Sequence, residues 1–126
     1  MKQPTITNLI GKTMTAVATD GDAALIFTCE EGEFIFNHHQ DCCESVFIES
    51  ITGDLRDLVG YPILVAEEGT SGDTPEGYTH KYEPDSQTWT FYKFATIKGY
   101  VDVRWFGESN GYYSESVDLT FTPAAT

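Results

Sequence analysis

Thr88–Phe121 reads TWTFYKFATIKGYVDVRWFGESNGYYSESVDLTF. It holds three β-rich runs separated by two glycine-containing turns, and it carries most of the large rings in the chain. Asn110-Gly111 at the second turn would ordinarily suggest a two-residue hairpin loop, but that register sets Val103 opposite Asp118 and mixes faces along both strands. A three-residue loop, Ser109-Asn110-Gly111 with Gly111 left-handed, pairs Val103 with Val117, Val101 with Leu119 and Trp105 with Glu115. In that register Trp105 and Tyr113 share a face with the valines and join the core. Arg104, Phe106 and Tyr112 face the other way, and Asp102 stands opposite Asp118 with Arg104 beside them.

Working outward, a hairpin precedes this meander. Ala24–Cys29 and Glu33–Asn37 flank Glu31-Gly32, which reads as a two-residue loop pairing Phe27 with Phe36 and Cys29 with Phe34. Leu25, Phe27, Cys29, Phe34, Phe36 and His38 form its core face, which makes Cys29 a small buried side chain. Thr13–Thr19 and Ser45–Glu49 read as strands, Tyr61–Ala66 as a short one, and Thr5–Lys12 as a helical turn or edge segment resting on Ile6, Leu9 and Ile10. Thr52–Gly60, TGDLRDLVG, reads as a helix of two turns, Thr52–Val59, burying Leu55, Leu58 and Val59, with Pro62 just beyond. Residues 67–87 turn polar and read as a mobile loop.

The expected fold is thus an α+β domain, mostly antiparallel β, spanning residues 1–126 as one unit. It has about eight strands, a C-terminal three-stranded meander and one short helix. Both faces of the meander carry rings, Trp89 and Phe91 on one and Tyr92 and Phe94 on the other. A second layer or a second subunit must cover each, so a homodimer or higher assembly is expected.

Charge narrows the partners. Seven Lys and Arg against 20 Asp and Glu give a formal net charge of −13 in 126 residues. A phosphate backbone requires a basic footprint, so direct nucleic-acid binding is not expected. The same charge suits solubility, or docking on a basic protein surface. There is no apolar run long enough to cross a membrane. The first residues, MKQPTITNLI, lack the long apolar core of a secretory signal, so the cytoplasm is the expected compartment. Three cysteines, Cys29, Cys42 and Cys43, read as thiols, because neighbouring side chains in extended backbone diverge.

Two constellations could carry chemistry. In His38-His39-Gln40-Asp41-Cys42-Cys43-Glu44, the imidazoles and thiols of His38, His39, Cys42 and Cys43 are the candidate zinc ligands. A structural zinc site draws pairs from two separated segments, and no second pair exists, so a packed corner is favoured and no cofactor is expected. A thiolate nucleophile there would be opposed by Asp41 and Glu44, which raise thiol pKa values. The other is the ring-lined tip, where Arg104, Phe106, Asn110 and Tyr112, with Asp102 and Asp118 beneath, are the candidate ligand- or partner-binding residues. No phosphate-cradling glycine loop, G-x-S-x-G or H-E-x-x-H is present, and no enzyme activity is expected.

The blocks HHQDCCESV (His38–Val46), GDLRDLVGYPI (Gly53–Ile63), TWTFYKFATIKGYV (Thr88–Val101) and RWFGESNGYYSESV (Arg104–Val117) carry a resemblance. The chain resembles, from about Leu9 to Leu119, an uncharacterised family of short acidic proteins met mostly in bacteriophage and prophage genomes. The resemblance implies a small phage accessory protein acting in the bacterial host cytoplasm, and it brings no activity and no catalytic residue. The expected function is a non-enzymatic factor that binds and modulates a host bacterial protein, in counter-defence. The alternatives are a small-ligand, nucleotide-like binder using Arg104, Asn110 and Tyr112, and a Cys/His metal-binding protein.

Overall fold

The computed structural model describes residues 3–124, and it is mostly antiparallel β. Eight strands are present: β1 Met14–Asp20, β2 Ala24–Cys29, β3 Gly32–Asn37, β4 Ser45–Thr52, β5 Val65–Ser71, β6 Ser86–Thr96, β7 Gly99–Ser109 and β8 Asp118–Pro123. They form two four-stranded sheets, β1-β2-β3-β8 and β4-β7-β6-β5. Every named pairing is antiparallel.

The sheets face each other across one core, built by period-two alternation from both sides. Leu25, Phe27, Phe34 and Phe36 come from the first sheet, and Tyr92, Phe94, Val101, Val103 and Trp105 from the second. Phe27 and Phe36 meet the Phe94 ring at 4.8 and 5.7 Å, so the sheets are joined through edge-on and tilted aromatic contacts. The core face of the β2–β3 hairpin is the one its alternation indicates. Its register lies two residues from expectation: Leu25 pairs with Phe36, Phe27 with Phe34 and Cys29 with Gly32, leaving Glu30-Glu31 as the loop. A shift of two preserves every facing.

The meander is corrected. β6 and β7 pair over their whole length, Thr96 opposite Gly99 and Ser86 opposite Ser109. β8 does not fold back on β7. It crosses to the first sheet and pairs with β3, Leu119 opposite Phe36 and Asp118 opposite Asn37. β4 takes the other side of β7, with Ile48 opposite Trp105 and Ile51 opposite Val103.

Local polar chemistry explains why no hairpin forms after Ser109. Ser109 Oγ accepts from Gly111 N at 2.9 Å, Asn110 Oδ1 from Tyr112 N at 3.0 Å, and Ser114 Oγ from Ser116 N at 3.2 Å. Those amides are satisfied within their own turns, which stops a ladder. Gly111 does take the left-handed conformation, φ 96°.

Glu115 then ties this segment to the second sheet, accepting from Thr88 Oγ1 at 2.8 Å and Ser109 Oγ at 2.5 Å. The backbone passes so close to Gly107 that a Cβ there would lie 2.6 Å from the Glu115 carbonyl oxygen. Gly107→Ala should therefore cost about 1–3 kcal/mol by forcing the segment away, read as a lowered urea midpoint at unchanged slope.

The helix expected at Thr52–Val59 is corrected as well. Thr52 closes β4, and only Leu55–Leu58 turns, as a single 3₁₀ turn. Asp54 accepts from Arg56 N, and Val59 N returns to Arg56 O, so the segment ends before an α-turn can propagate. Leu58 is buried, as expected. Near the N-terminus a second 3₁₀ turn, Ile6–Leu9, buries Leu9, while Ile10 is exposed.

The strand expected at Tyr61–Ala66 begins only at Val65 and runs to Ser71. The polar stretch expected as a loop over residues 67–87 is accordingly shorter, since Glu67–Ser71 belong to β5 and Ser86-Gln87 to β6. Among the described residues no helix is long and apolar enough to cross a membrane.

Candidate functional site

The outer face of the second sheet gathers the polar chemistry. Inward Val101, Val103 and Trp105 alternate on β7 with Asp102, Arg104 and Phe106, and inward Tyr92 and Phe94 on β6 alternate with Phe91 and Lys93. Cross-strand register lines up Thr52, Asp102, Lys93 and Glu67 in one row and Ser50, Arg104, Phe91 and Gly69 in the next. Together they line a groove of about 490 Å³.

A bulge in β4 between Ile48 and Ser50 makes Glu49 the extra residue and directs it onto this face. Arg104 Nε donates to Glu49 Oε2 at 2.6 Å, and the guanidinium lies 5.2 Å from the centre of the Trp89 ring. That hydrogen bond holds the Glu49 carboxyl below its ordinary range and raises Arg104. On the inner side, burial first and the neighbouring Glu68 second push the Tyr92 hydroxyl far above its usual range.

Trp89 also projects outward, yet it is fully buried. Its cover comes from the chain between β5 and β6. Tyr78 stands edge-on to it at 4.9 Å, His80 lies at 6.3 Å, and Phe106 from β7 packs at 4.6 Å. Trp89 Nε1 donates to Gln87 Oε1 at 3.2 Å, and Gln87 Nε2 donates to Gly72 O at 2.9 Å. Much of the cover that the sequence assigned to a second layer or a second subunit is thus supplied inside one chain: the first sheet covers Tyr92 and Phe94, and residues 72–85 cover Trp89, while Phe91 stays half-buried in the groove.

The six residues expected to form one binding patch divide among four places. Asp102, Arg104 and Phe106 share the outer face. Asn110 lines a separate acidic recess with Glu83, Asp85 and Glu108, while Tyr112 stands alone and 89% exposed. Asp118 belongs to the first sheet, where its Oδ2 accepts from His39 N at 3.3 Å. The expected facing pair Asp102/Asp118 does not exist, because it required the β7–β8 hairpin.

The corner His38–Glu44 is organised by Glu44. Its buried carboxylate accepts from Cys42 N at 2.8 Å, from Asp41 N at 3.2 and 3.3 Å, and from Gln40 Nε2 at 2.9 Å. His38 Nε2 lies 3.1 Å from Glu44 Oε2, and His38 Nδ1 lies 2.7 Å from Ser116 O. Burial alone would raise the Glu44 carboxyl, but these N–H groups and His38 hold it at about 2.

Cys42 and Cys43, expected as thiols, are joined to each other as a disulfide. The chain bends at these residues rather than running extended, which removes the divergence on which that expectation rested. Cys29 is a free, buried thiol, as expected. Among the described residues no group of three or more His, Cys, Asp or Glu is arranged to hold a metal ion.

One feature escaped the sequence reading. Of the seven exposed large hydrophobics among the described residues, five lie around the end of the second sheet where β6 turns into β7: Ile10, Tyr61, Leu64, Ile97 and Tyr100. Leu64 N donates to Ala95 O at 2.7 Å, Ala95 pairs with Tyr100, and Gly11 N donates to Ile63 O at 2.8 Å. Lys98 lies over Tyr61 at 5.6 Å and Lys93 over Tyr100 at 5.5 Å. Ile97 in the two-residue loop Ile97-Lys98 was the available signal, since such loops are normally polar.

Two antiparallel sheets, with an apolar end and a charged groove on the outer face of one, define a small all-β domain. Residues 7–119 match the family model of a domain of unknown function (DUF7448), and the chain belongs to that family. Neither the curated proteins nor the solved structures gave a match.

Proposed function

We propose that this chain is a non-enzymatic accessory protein that binds a host bacterial protein through the exposed apolar end of its second sheet. The observation that carries this reading is the clustering of Ile97, Tyr100, Leu64, Tyr61 and Ile10, exposed by 37–70%, at one place on an otherwise strongly acidic molecule. Exposed apolar clusters rimmed by polar groups mark interaction sites, and tyrosine is a favoured anchor in them. The phage setting, the host cytoplasm and a counter-defence role belong to the same reading and rest on the sequence blocks quoted above. The net charge of −13 supports steering towards a basic surface.

A nucleotide-like ligand is less well supported. Arg104 is already held by Glu49 and stacked on Trp89, and a phosphate in the groove would meet Glu67 and Asp102.

Retention of bacterial lysate proteins on the immobilised chain tests the proposal, with Ile97→Ser/Tyr100→Ser as the comparison. Both side chains are at least 60% exposed, so the variant should keep its thermal midpoint. A defined protein should be retained by the wild type and lost from the variant, with faster capture at low salt. Equal retention by the two, or none by the wild type, overturns the reading.

A further inference from the structure

The two sheets leave four edge strands, β1, β8, β4 and β5, and three of these edges are guarded. β4 carries the Glu49 bulge, and its Ile48 N donates to Asp22 O at 2.7 Å. β5 holds Glu67 and Glu68 in its middle. β8 ends on Pro123, and its Leu119 O accepts from Gln3 Nε2 at 3.2 Å. Bulges, charges, proline and covering groups are the means by which a sheet edge is kept from pairing with another chain.

β1 has such protection only at its start. Met14 O accepts from Gly60 N at 2.9 Å, and the strand bulges between Met14 and Ala16. Beyond that point residues 15–19 carry no charge and no proline, on a chain whose net charge is −13. Thr15, Ala16, Ala18 and Thr19 are exposed, and Val17 is half-buried. One side of this backbone pairs with β2, and among the described residues no backbone group bonds the other. An exposed, uncharged edge of this kind offers its N–H and C=O groups to an added strand.

The residues of the edge indicate which strand it fits. Thr15-Ala16-Val17-Ala18-Thr19 reads the same in both directions. Laid antiparallel on a copy of itself about a two-fold axis at Val17, it sets Thr15 opposite Thr19, Ala16 opposite Ala18 and Val17 opposite Val17. Threonine pairs stabilise antiparallel neighbours, and alanine pairs bring no clash. Charge favours the same direction. Lys12 precedes the palindrome, in an exposed pair with Glu31, and Asp20 and Asp22 follow it. Antiparallel strands bring the Lys12 end of one copy to the acidic end of the other, whereas parallel strands would set Asp20 beside Asp20. We infer that β1 pairs with β1 of a second copy, joining the two four-stranded first sheets into one continuous sheet. This contact does not rest on the reading of the apolar end.

A short contact between two acidic bodies makes a weak dimer, with a dissociation constant on the order of 10 µM. Sedimentation velocity from about 1 µM to about 500 µM should show monomer giving way to dimer. The dimer should tighten severalfold between about 0.05 and about 0.5 M NaCl, as repulsion between the copies is screened. Ala16→Lys/Ala18→Lys and Ala16→Glu/Ala18→Glu change exposed positions, so each should keep its thermal midpoint. Each alone should dimerise at least about tenfold more weakly, and mixing the two should restore the dimer, since every lysine then faces a glutamate. Val17→Cys should cross-link to itself under mild oxidation, because only the residue on the axis meets its own copy. Glu30→Cys, exposed on the same sheet, should not.

Monomer at every concentration, or a dimer that survives Ala16→Lys/Ala18→Lys, would overturn the inference. Cross-linking of Glu30→Cys as readily as Val17→Cys would do the same. Loss of the dimer in Ile97→Ser/Tyr100→Ser would mean that the copies meet through the apolar end instead. A monomeric wild type whose lysate partner is lost from the two β1 variants would give the edge to a strand of another protein, against self-pairing. If the dimer forms as stated and no lysate protein is retained, the edge contact stands and the apolar-end reading falls.

Discussion

Trp89→Ala should destabilise the fold by about 3–5 kcal/mol and open the segment 72–85 to protease, even though Trp89 lies on the outer face of its sheet. The indole is fully buried, and its cover rests on it directly: Tyr78 and His80 from the connecting segment, Phe106 and the Arg104 guanidinium from β7. Its N–H also holds Gln87, which in turn holds Gly72. Truncation removes the surface on which the segment sits and one of the bonds that latch it, so local opening should exceed the global loss.

Trp105 gives the contrast. It too is fully buried, but in the core between the sheets, and its Nε1 has no hydrogen-bond partner there. Trp105→Phe removes an unsatisfied donor along with some packing, so its cost should stay below about 1.5 kcal/mol. Trp89→Phe breaks the bond to Gln87 and should cost more. Urea denaturation of the four proteins, with limited proteolysis between β5 and β6, measures both effects. An unchanged cleavage pattern in Trp89→Ala would mean that the segment is held by something other than this ring.

The two tryptophans also mark what the sequence could and could not disclose. Strict alternation along β6 and β7 gave Trp105 to the core and Arg104 to the opposite face, and both assignments survive because parity is a property of one strand. Pairing between strands is a different matter. The Ser109–Ser116 segment has the glycine and asparagine of a hairpin loop, but its serine and asparagine side chains satisfy local amides, and β4 offers β7 a better apolar neighbour in Val46-Phe47-Ile48.

Asp102, Arg104 and Phe106, read from the parity of one strand, lie on the face that parity indicates. Those that depended on the β7–β8 pairing do not join them: Asp118 lies in the other sheet, and Asn110 and Tyr112 lie in the segment between the strands. The apolar end was invisible for a related reason. Tyr61, Leu64 and Ile97 sit in separate turns and are unremarkable singly, and only the approach of residues 61–64 to the β6–β7 loop makes them one surface.

Glu44→Gln should loosen the His38–Glu44 corner and remove a distinct part of the acid sensitivity of the fold. The carboxylate accepts from Asp41 N, Cys42 N, Gln40 Nε2 and His38. A glutamine offers one acceptor oxygen and turns an NH₂ towards groups that are themselves donors, so at least one buried N–H is left without a partner. The substitution should lower the urea midpoint at pH 7 well below that of a control such as Glu30→Gln, whose side chain is exposed.

The pH dependence follows from the direction of the shift. The folded Glu44 carboxyl lies at about 2, below its ordinary value of 4.5. As pH falls below 4.5 the unfolded chain takes up the proton first, so stabilisation from Glu44 is fully present above that pH and declines as pH falls through the folded value near 2. Glu49 and Asp54 are held down in the same direction by Arg104 and Arg56, so the variant keeps part of the slope. The wild type should therefore take up about one proton more than Glu44→Gln on unfolding between pH 4.5 and 2. That difference is measured by comparing denaturation midpoints and slopes at a series of pH values. Parallel losses in the two proteins would assign the acid sensitivity to the paired surface carboxylates and leave Glu44 as a packing group alone.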